Sequence, residues 1–170
     1  MSPTTRSSQN QAKPPRRVFY ELGRAYAASG QDGQAATFYQ KAADMRHPLA
    51  FAALGEFYLN GRGLPRNSVL AISMFARASD GGYFPAALRI GQIYAAGLGI
   101  ERDYAKAASY FEVAATQLKV TSAYAELGQL YLTGRGVPLD KQKACDLFRQ
   151  GSEAKDPTAM ARLASACGTK

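Results

Sequence analysis

The chain has 170 residues, 46% of them apolar, no tryptophan and a formal charge of +8. That is enough apolar mass for a core, so a wholly disordered chain is excluded. No stretch approaches the roughly 18 consecutive apolar residues of a membrane-spanning helix. Half of the excess charge, Arg6, Lys13, Arg16 and Arg17, lies in an acid-free segment of seventeen residues, so the remainder is only mildly basic. The charge therefore gives little support to a nucleic-acid surface.

Residues 1–16 are polar, with Pro14 beside Pro15, and read as a disordered basic leader. They hold no apolar run of the kind a secretory signal needs. The sequence as it stands thus implies a cytoplasmic protein; Met1 in place of a removed signal would imply a periplasmic or secreted one. From residue 17 to 168 the chain reads as one folded domain. Alanine is frequent and long alternating runs of β-branched residues are missing, which favours helices over sheet.

The domain repeats. Leu22-Gly23, Leu54-Gly55, Ile90-Gly91 and Leu127-Gly128 recur at intervals of 32, 36 and 37, and Leu163-Ala164 is a degenerate fifth copy. Tyr26, Tyr58, Tyr94 and Tyr131 follow each glycine by three. Ala50, Ala86, Ala123 and Ala159 precede the leucine position by four, and Tyr39, Phe75, Phe111 and Phe148 form an aromatic column. The units are 17–47, 48–83, 84–120 and 121–156, closed by a capping helix over 157–168. Each unit reads as two helices, because Ala50, Leu54, Phe57 and Tyr58 share one helical face and Ala71, Phe75 and Ala78 share another. A single helix pair cannot bury its face, whereas stacked pairs can, so a solenoid is expected.

Between the helices of the three longer units stands Gly-x-Gly: Gly61 and Gly63, Gly97 and Gly99, Gly134 and Gly136. A phosphate cradle is the first thought, but a dinucleotide fingerprint needs a third glycine after a strand, and a P-loop needs Gly-Lys-Ser/Thr. Neither is present. The glycines instead end one helix, Pro65 and Pro138 keep the gap open, and Asn67, Asp103 and Asp140 cap the next helix. Arg62 and Arg135 at the connector tips read as solvated loop charges.

The segments "LGEFYLNGRGLPRNSVLAISMFARASDGG" and "LGQLYLTGRGVPLDKQKACDLFRQGSEAKD" resemble Sel-one-like repeats, relatives of tetratricopeptide repeats. Residues 48–154 carry the motif in three copies, with two departures: Leu70 stands where a lysine precedes the alanine, and Gly151 replaces an alanine. The first unit has sixteen residues from Gly23 to Tyr39 against twenty in the others, and lacks the connector, so it resembles a plain tetratricopeptide repeat. The resemblance implies an all-α, right-handed superhelical solenoid of antiparallel helix pairs, about nine helices in all. It also implies a non-catalytic scaffold, adaptor or regulator, without cofactor, that binds a protein or peptide on its concave surface as a monomer or within a hetero-complex. A structural subunit of a bacterial envelope or secretion-type assembly is the alternative, and a nucleic-acid-binding helical repeat the next.

By the same resemblance, the inner face is lined by the first helix of each pair. In this chain the inner positions include Tyr20, Glu21 and Arg24; Glu56 and Asn60; Arg89 and Gln92; and Glu126, Gln129 and Thr133. Their mixed charge suits hydrogen bonds to a peptide, and the three glutamates count against nucleic acid. Tyr20, Arg24 and Arg89 are the strongest contact candidates, since tyrosine and arginine most often carry interface energy.

Little other chemistry is in view. His47 is the single histidine and has no cysteine or carboxylate cluster around it in sequence, so neither a metal site nor a general base is expected. No nucleophile elbow or paired-carboxylate motif is present. Cys145 and Cys167 lie on consecutive antiparallel helices, ten and twelve residues from the turn between them. Two states are open to them: buried free thiols, the default, or a disulfide that would lock the last helix and imply an oxidising compartment.

Overall fold

The computed structural model describes residues 15–168; of the leader expected over residues 1–16, residues 1–14 lie outside them and Arg16 instead opens the first helix. Among the described residues there are nine α-helices and no strand. They are α1 (Arg16–Ala28), α2 (Asp32–Asp44), α3 (Pro48–Asn60), α4 (Ser68–Asp80), α5 (Pro85–Ala96), α6 (Tyr104–Glu112), α7 (Ser122–Thr133), α8 (Lys141–Glu153) and α9 (Pro157–Cys167). Each odd helix packs on the even helix that follows it, and each even helix packs on the next odd one. The result is the solenoid of helix pairs read from the repeat. No helix among the described residues is long and apolar enough to cross a membrane.

Each pair is held by one contact that explains two sequence columns together. A Cβ on Gly23, Gly55, Gly91 or Gly128 would run into the ring of Tyr39, Phe75, Phe111 or Phe148 respectively. The first helix gives up a side chain so that an aromatic ring of the second can lie flat on its backbone. Phe75, Phe111 and Phe148 are thereby almost wholly buried, at 1%, 1% and 0% exposure. The alanine columns around them, such as Ala50, Ala86 and Ala123, are fully buried and keep the helix axes close.

The connectors are the same structure three times. Gly61, Gly97 and Gly134 are left-handed, with φ near 69°, 69° and 66°, and close the first helix. The amides of Asn67, Asp103 and Asp140 donate to the carbonyls of Tyr58, Tyr94 and Tyr131 at 2.8, 3.0 and 2.9 Å. Their side chains accept from the amides of Leu70, Lys106 and Lys143, as N-caps. The second glycine does more than lend freedom. A Cβ on Gly63 would strike the backbone of Asp32 and Gly33, one on Gly99 the Ser68 hydroxyl, and one on Gly136 the backbone of Tyr104 and Ala105. These are the opening residues of α2, α4 and α6. Each connector thus seats on the preceding unit, and Gly-x-Gly is an inter-unit contact as well as a turn.

The third unit is one residue longer than the second, and the extra residue has a definite place. The helix begun by α6 passes into a π-helical turn over Val113–Gln117. Three inter-unit turns close with the amides of His47, Tyr83 and Asp156 on carbonyls five residues back, Ala42, Ala78 and Gly151. In the third unit Val120 reaches Ala114, six residues back. A π turn is how a helix absorbs one inserted residue without losing register. These inter-unit turns also place Arg46, Lys119 and Lys155 at φ of 57°, 57° and 64°, where the second unit has Gly82.

The last helix is the least embedded. Among its described side chains only Ala159 is buried, and Met160 is 51% exposed. A disulfide joins Cys145 of α8 to Cys167 at the end of α9, with the Cα atoms 5.7 Å apart. Of the two states open to these cysteines, the structure has the bridge, and neither thiol is free. Closing this loop of 22 residues removes about 3 kcal/mol of chain entropy from the unfolded state.

Gly63→Ala should cost about 2 kcal/mol or more in denaturant unfolding, through positive φ and collision with Asp32. Gly33→Ala, one helix position away with open space around its Cβ, should be neutral or stabilise by up to about 1 kcal/mol. Reduction of Cys145–Cys167 should lower the unfolding midpoint, and hydrogen exchange should show α9 amides opening first.

Candidate functional site

The odd helices present one continuous face, and the polar residues on it are paired by a simple rule. The residue two after the leucine position of one unit meets the residue one before it in the next. Arg89 of α5 grips Glu56 of α3 with two bonds, Nε to Oε1 at 2.6 Å and Nη2 to Oε2 at 2.9 Å. Gln92 of α5 donates to Glu126 of α7 at 3.2 Å, and Arg162 of α9 donates to Gln129 of α7. Arg89 also donates to Gln92 at 2.9 Å, so Glu56, Arg89, Gln92 and Glu126 form one chain across three helices. The hydrogen bond to Glu56 raises the Arg89 pKa.

The rule fails at the first junction. The two positions there are Arg24 on α1 and Ala53 on α3. Alanine cannot answer an arginine, so Arg24 turns back to Glu21 of its own helix at 3.1 Å, both side chains about half exposed. The space left open becomes a concavity of about 310 Å³ between α1, α3 and α5. Tyr20, Leu49, Ala52, Ala53 and Leu88 line it, and the Glu56–Arg89 pair closes one side. Tyr20 is positioned by stacking on His47 at 4.8 Å and tilting on Tyr39 at 5.9 Å. Burial raises the Tyr20 pKa above the usual tyrosine range.

The remaining predicted positions are committed to their own helices. Asn60 donates to the Glu56 carbonyl at 2.9 Å, and the Thr133 hydroxyl to the Gln129 carbonyl at 2.8 Å. Arg162 was missed by the sequence reading, yet it lies one before Leu163 in the same column as Arg89; extending the column rule to the fifth copy finds it. The connector arginines are not simply solvated. Arg62 binds Asp32 at the start of α2 at 2.7 Å, and Arg135 lies over the Tyr104 ring. Among the described residues no three His, Cys, Asp or Glu side chains converge on a point that could hold a metal.

A model of the Sel1 repeat matches residues 18–47, 49–83, 85–117 and 121–156. The chain belongs to the Sel1 repeat family. The first match covers the short unit that the sequence alone likens to a tetratricopeptide repeat. Two solved structures are similar over most of this Sel1 repeat chain. A Sel1 repeat protein from Oxalobacter formigenes is 28% identical, with a TM-score of 0.79 over 88% of this chain and 62% of that one. A protective antigen of uropathogenic Escherichia coli with an SLR fold is 25% identical, with a TM-score of 0.78 over 87% of this chain and 32% of that one. This chain therefore spans less than two thirds of either protein. The cysteine-rich protein B of Helicobacter pylori shares the fold at 20% identity and a TM-score of 0.58, over 76% of this chain and 92% of that one. No curated protein matches the chain significantly.

His47 gives the candidate site a pH dependence. Burial lowers its pKa, and Arg16 lowers it further, as does Arg17, against an opposing pull from Glu21. Its Nδ1 is buried without a hydrogen-bond partner. The folded state thus binds this proton less readily than the unfolded chain, whose histidine titrates near about 6.5. The contribution is complete above that value and is lost as pH falls through the folded pKa. The melting temperature should drop between pH 7.5 and 5.5, and His47→Phe, which keeps the stack on Tyr20, should flatten that drop.

Proposed function

We propose that this Sel1 repeat protein binds a protein or peptide segment on the face formed by its odd helices, centred on the concavity between α1, α3 and α5. Sel1 repeat proteins are generally protein-interaction modules, and their fold is typically a non-catalytic scaffold. The observation that carries the reading is the missing rung at the first junction. Every later junction satisfies its facing polar side chains internally. Only here does the face keep an arginine with no partner across the junction, and Ala53, on the other side of that gap, lines an apolar concavity walled by Tyr20. Tyrosine and arginine around a pocket that water can be driven from are what interface energy is usually built on.

The paired face beyond it then acts as a rigid support rather than a contact surface. Breaking the Glu56–Arg89 grip would leave one charge part-buried and unpaired, which makes reversal at Arg89 a test of folding as much as of binding. The Cys145–Cys167 bridge supports an oxidising compartment, hence a periplasmic or secreted protein rather than a cytoplasmic one. The partner is a protein, met by the monomer or within a hetero-complex.

The test supplies the missing rung. Ala53→Glu places a carboxylate opposite Arg24 and should close the concavity without loss of stability. Captured partner, quantified from native cells, should fall by at least about tenfold, the loss of one hot spot. Glu126→Gln, which alters a closed rung, should leave capture unchanged. Equal capture by wild type and Ala53→Glu would place the contact elsewhere.

A further inference from the structure

The concavity on the odd-helix face owes its shape to two adjacent alanines. In every other unit at least one of the two positions just before the leucine carries a long side chain. In the second unit both are alanine, Ala52 and Ala53, and both are only partly buried. Their neighbours two before the leucine position are large, Tyr20 on α1 and Leu88 on α5. The ground is therefore low between two high walls. The Tyr20 wall is held in place by its stack on His47 and its contact with Tyr39. In the fourth unit Ala125 stands in the same column, but Glu126 follows it and is held by Gln92 across the junction.

The lining carries one charged pair, and that pair is closed. Arg89 donates twice to the Glu56 carboxylate and a third time to Gln92. The other lining side chains are uncharged. An entering carboxylate would have to draw Arg89 away from Glu56, and an entering ammonium would have to draw Glu56 away from Arg89. Either exchange leaves one charge part-desolvated and unpaired. The volume is about 310 Å³, at the bottom of the roughly 300–1,000 Å³ range of pockets that enclose a small molecule. That is room for one large side chain and not for a length of peptide.

We propose that the concavity takes one bulky, uncharged apolar side chain, of the phenylalanine or leucine class, presented by the partner segment. The inference rests on the partner-binding reading above and narrows it to a chemistry. Entry of such a side chain covers Leu49, which is 37% exposed at the edge of the concavity, without disturbing the Glu56–Arg89 pair. A single apolar knob seated in a pocket from which water is driven is the usual form of an interface anchor.

The test needs no partner. N-acetyl-phenylalaninamide, which is uncharged throughout, is titrated into protein with isotope-labelled alanine and leucine methyl groups, and the NMR shifts of Ala52, Ala53 and Leu88 are followed. The three should move together and saturate, with a Kd of about 1 mM, as expected for so small a ligand. N-acetyl-lysinamide and the amide of N-acetyl-glutamic acid are of similar size but charged, and should bind at least about tenfold more weakly. Ala53→Leu fills the concavity and should abolish the Leu88 shift at an unchanged melting temperature. Ala52→Leu fills it from the neighbouring position and should do the same. Val69→Ala trims a side chain that is 68% exposed on α4 and should bind the probe as wild type does. Absence of saturation in wild type would overturn the proposal, as would equal binding of the charged probes or wild-type binding in both filled variants. Loss of probe selectivity while Ala53→Glu still lowers capture would remove this inference and leave the partner-binding reading standing. Selective probe binding with undiminished capture by Ala53→Glu would do the reverse.

Discussion

Everything in this molecule depends on one close approach, an aromatic ring of the second helix lying on a bare glycine of the first. The contact fixes the distance between the helices of a pair and buries a large ring almost completely. It sets where the next alanine column must fall, and so where the following unit can dock. A methyl group at Gly55 would push Phe75 away, and the core has no slack to absorb it. Because each unit touches only its neighbours, stability accumulates locally along the chain, and the loosely embedded α9 leans on a covalent tie instead.

Two kinds of contact run between units, and they have different jobs. On the connector edge, the second glycine of each Gly-x-Gly seats on the start of the preceding unit's second helix, against backbone at Gly63 and Gly136 and against the Ser68 side chain at Gly99. On the odd-helix face, side chains reach across in the rungs Glu56–Arg89, Gln92–Glu126 and Gln129–Arg162. The connector contact holds the stack together. The side-chain contact is selective, and it lapses at Arg24 and Ala53, where no rung crosses the junction.

Much of the fold was legible in the sequence because it is periodic: repeated leucine, glycine, tyrosine and aromatic positions fix helix pairs and their order without any long-range information. What stayed hidden was what each column touches. Gly63 reads as a turn glycine because its true neighbour, Asp32, is thirty-one residues upstream. The interval of 37 shows that a residue was inserted, but not that Val113–Gln117 takes it up as a π turn. Left-handed Arg46, Lys119 and Lys155 carry no sequence signal, since only Gly82 of that column favours the conformation. At the candidate site the inner positions were named singly. Their meaning lies in pairs, and a pair becomes visible only once one unit is laid against the next.

The rungs also carry information about sequence at a coarser grain. A helical stack with interchangeable layers could be shortened by deleting any one of them. Here, removal of residues 48–83 would set Arg24 of the first unit against Arg89 of what had been the third, cation facing cation. The remaining units would still satisfy every glycine and alanine rule, and still fail to sit comfortably together. Their order in the chain is thus written in side chains that play no part in forming any single layer.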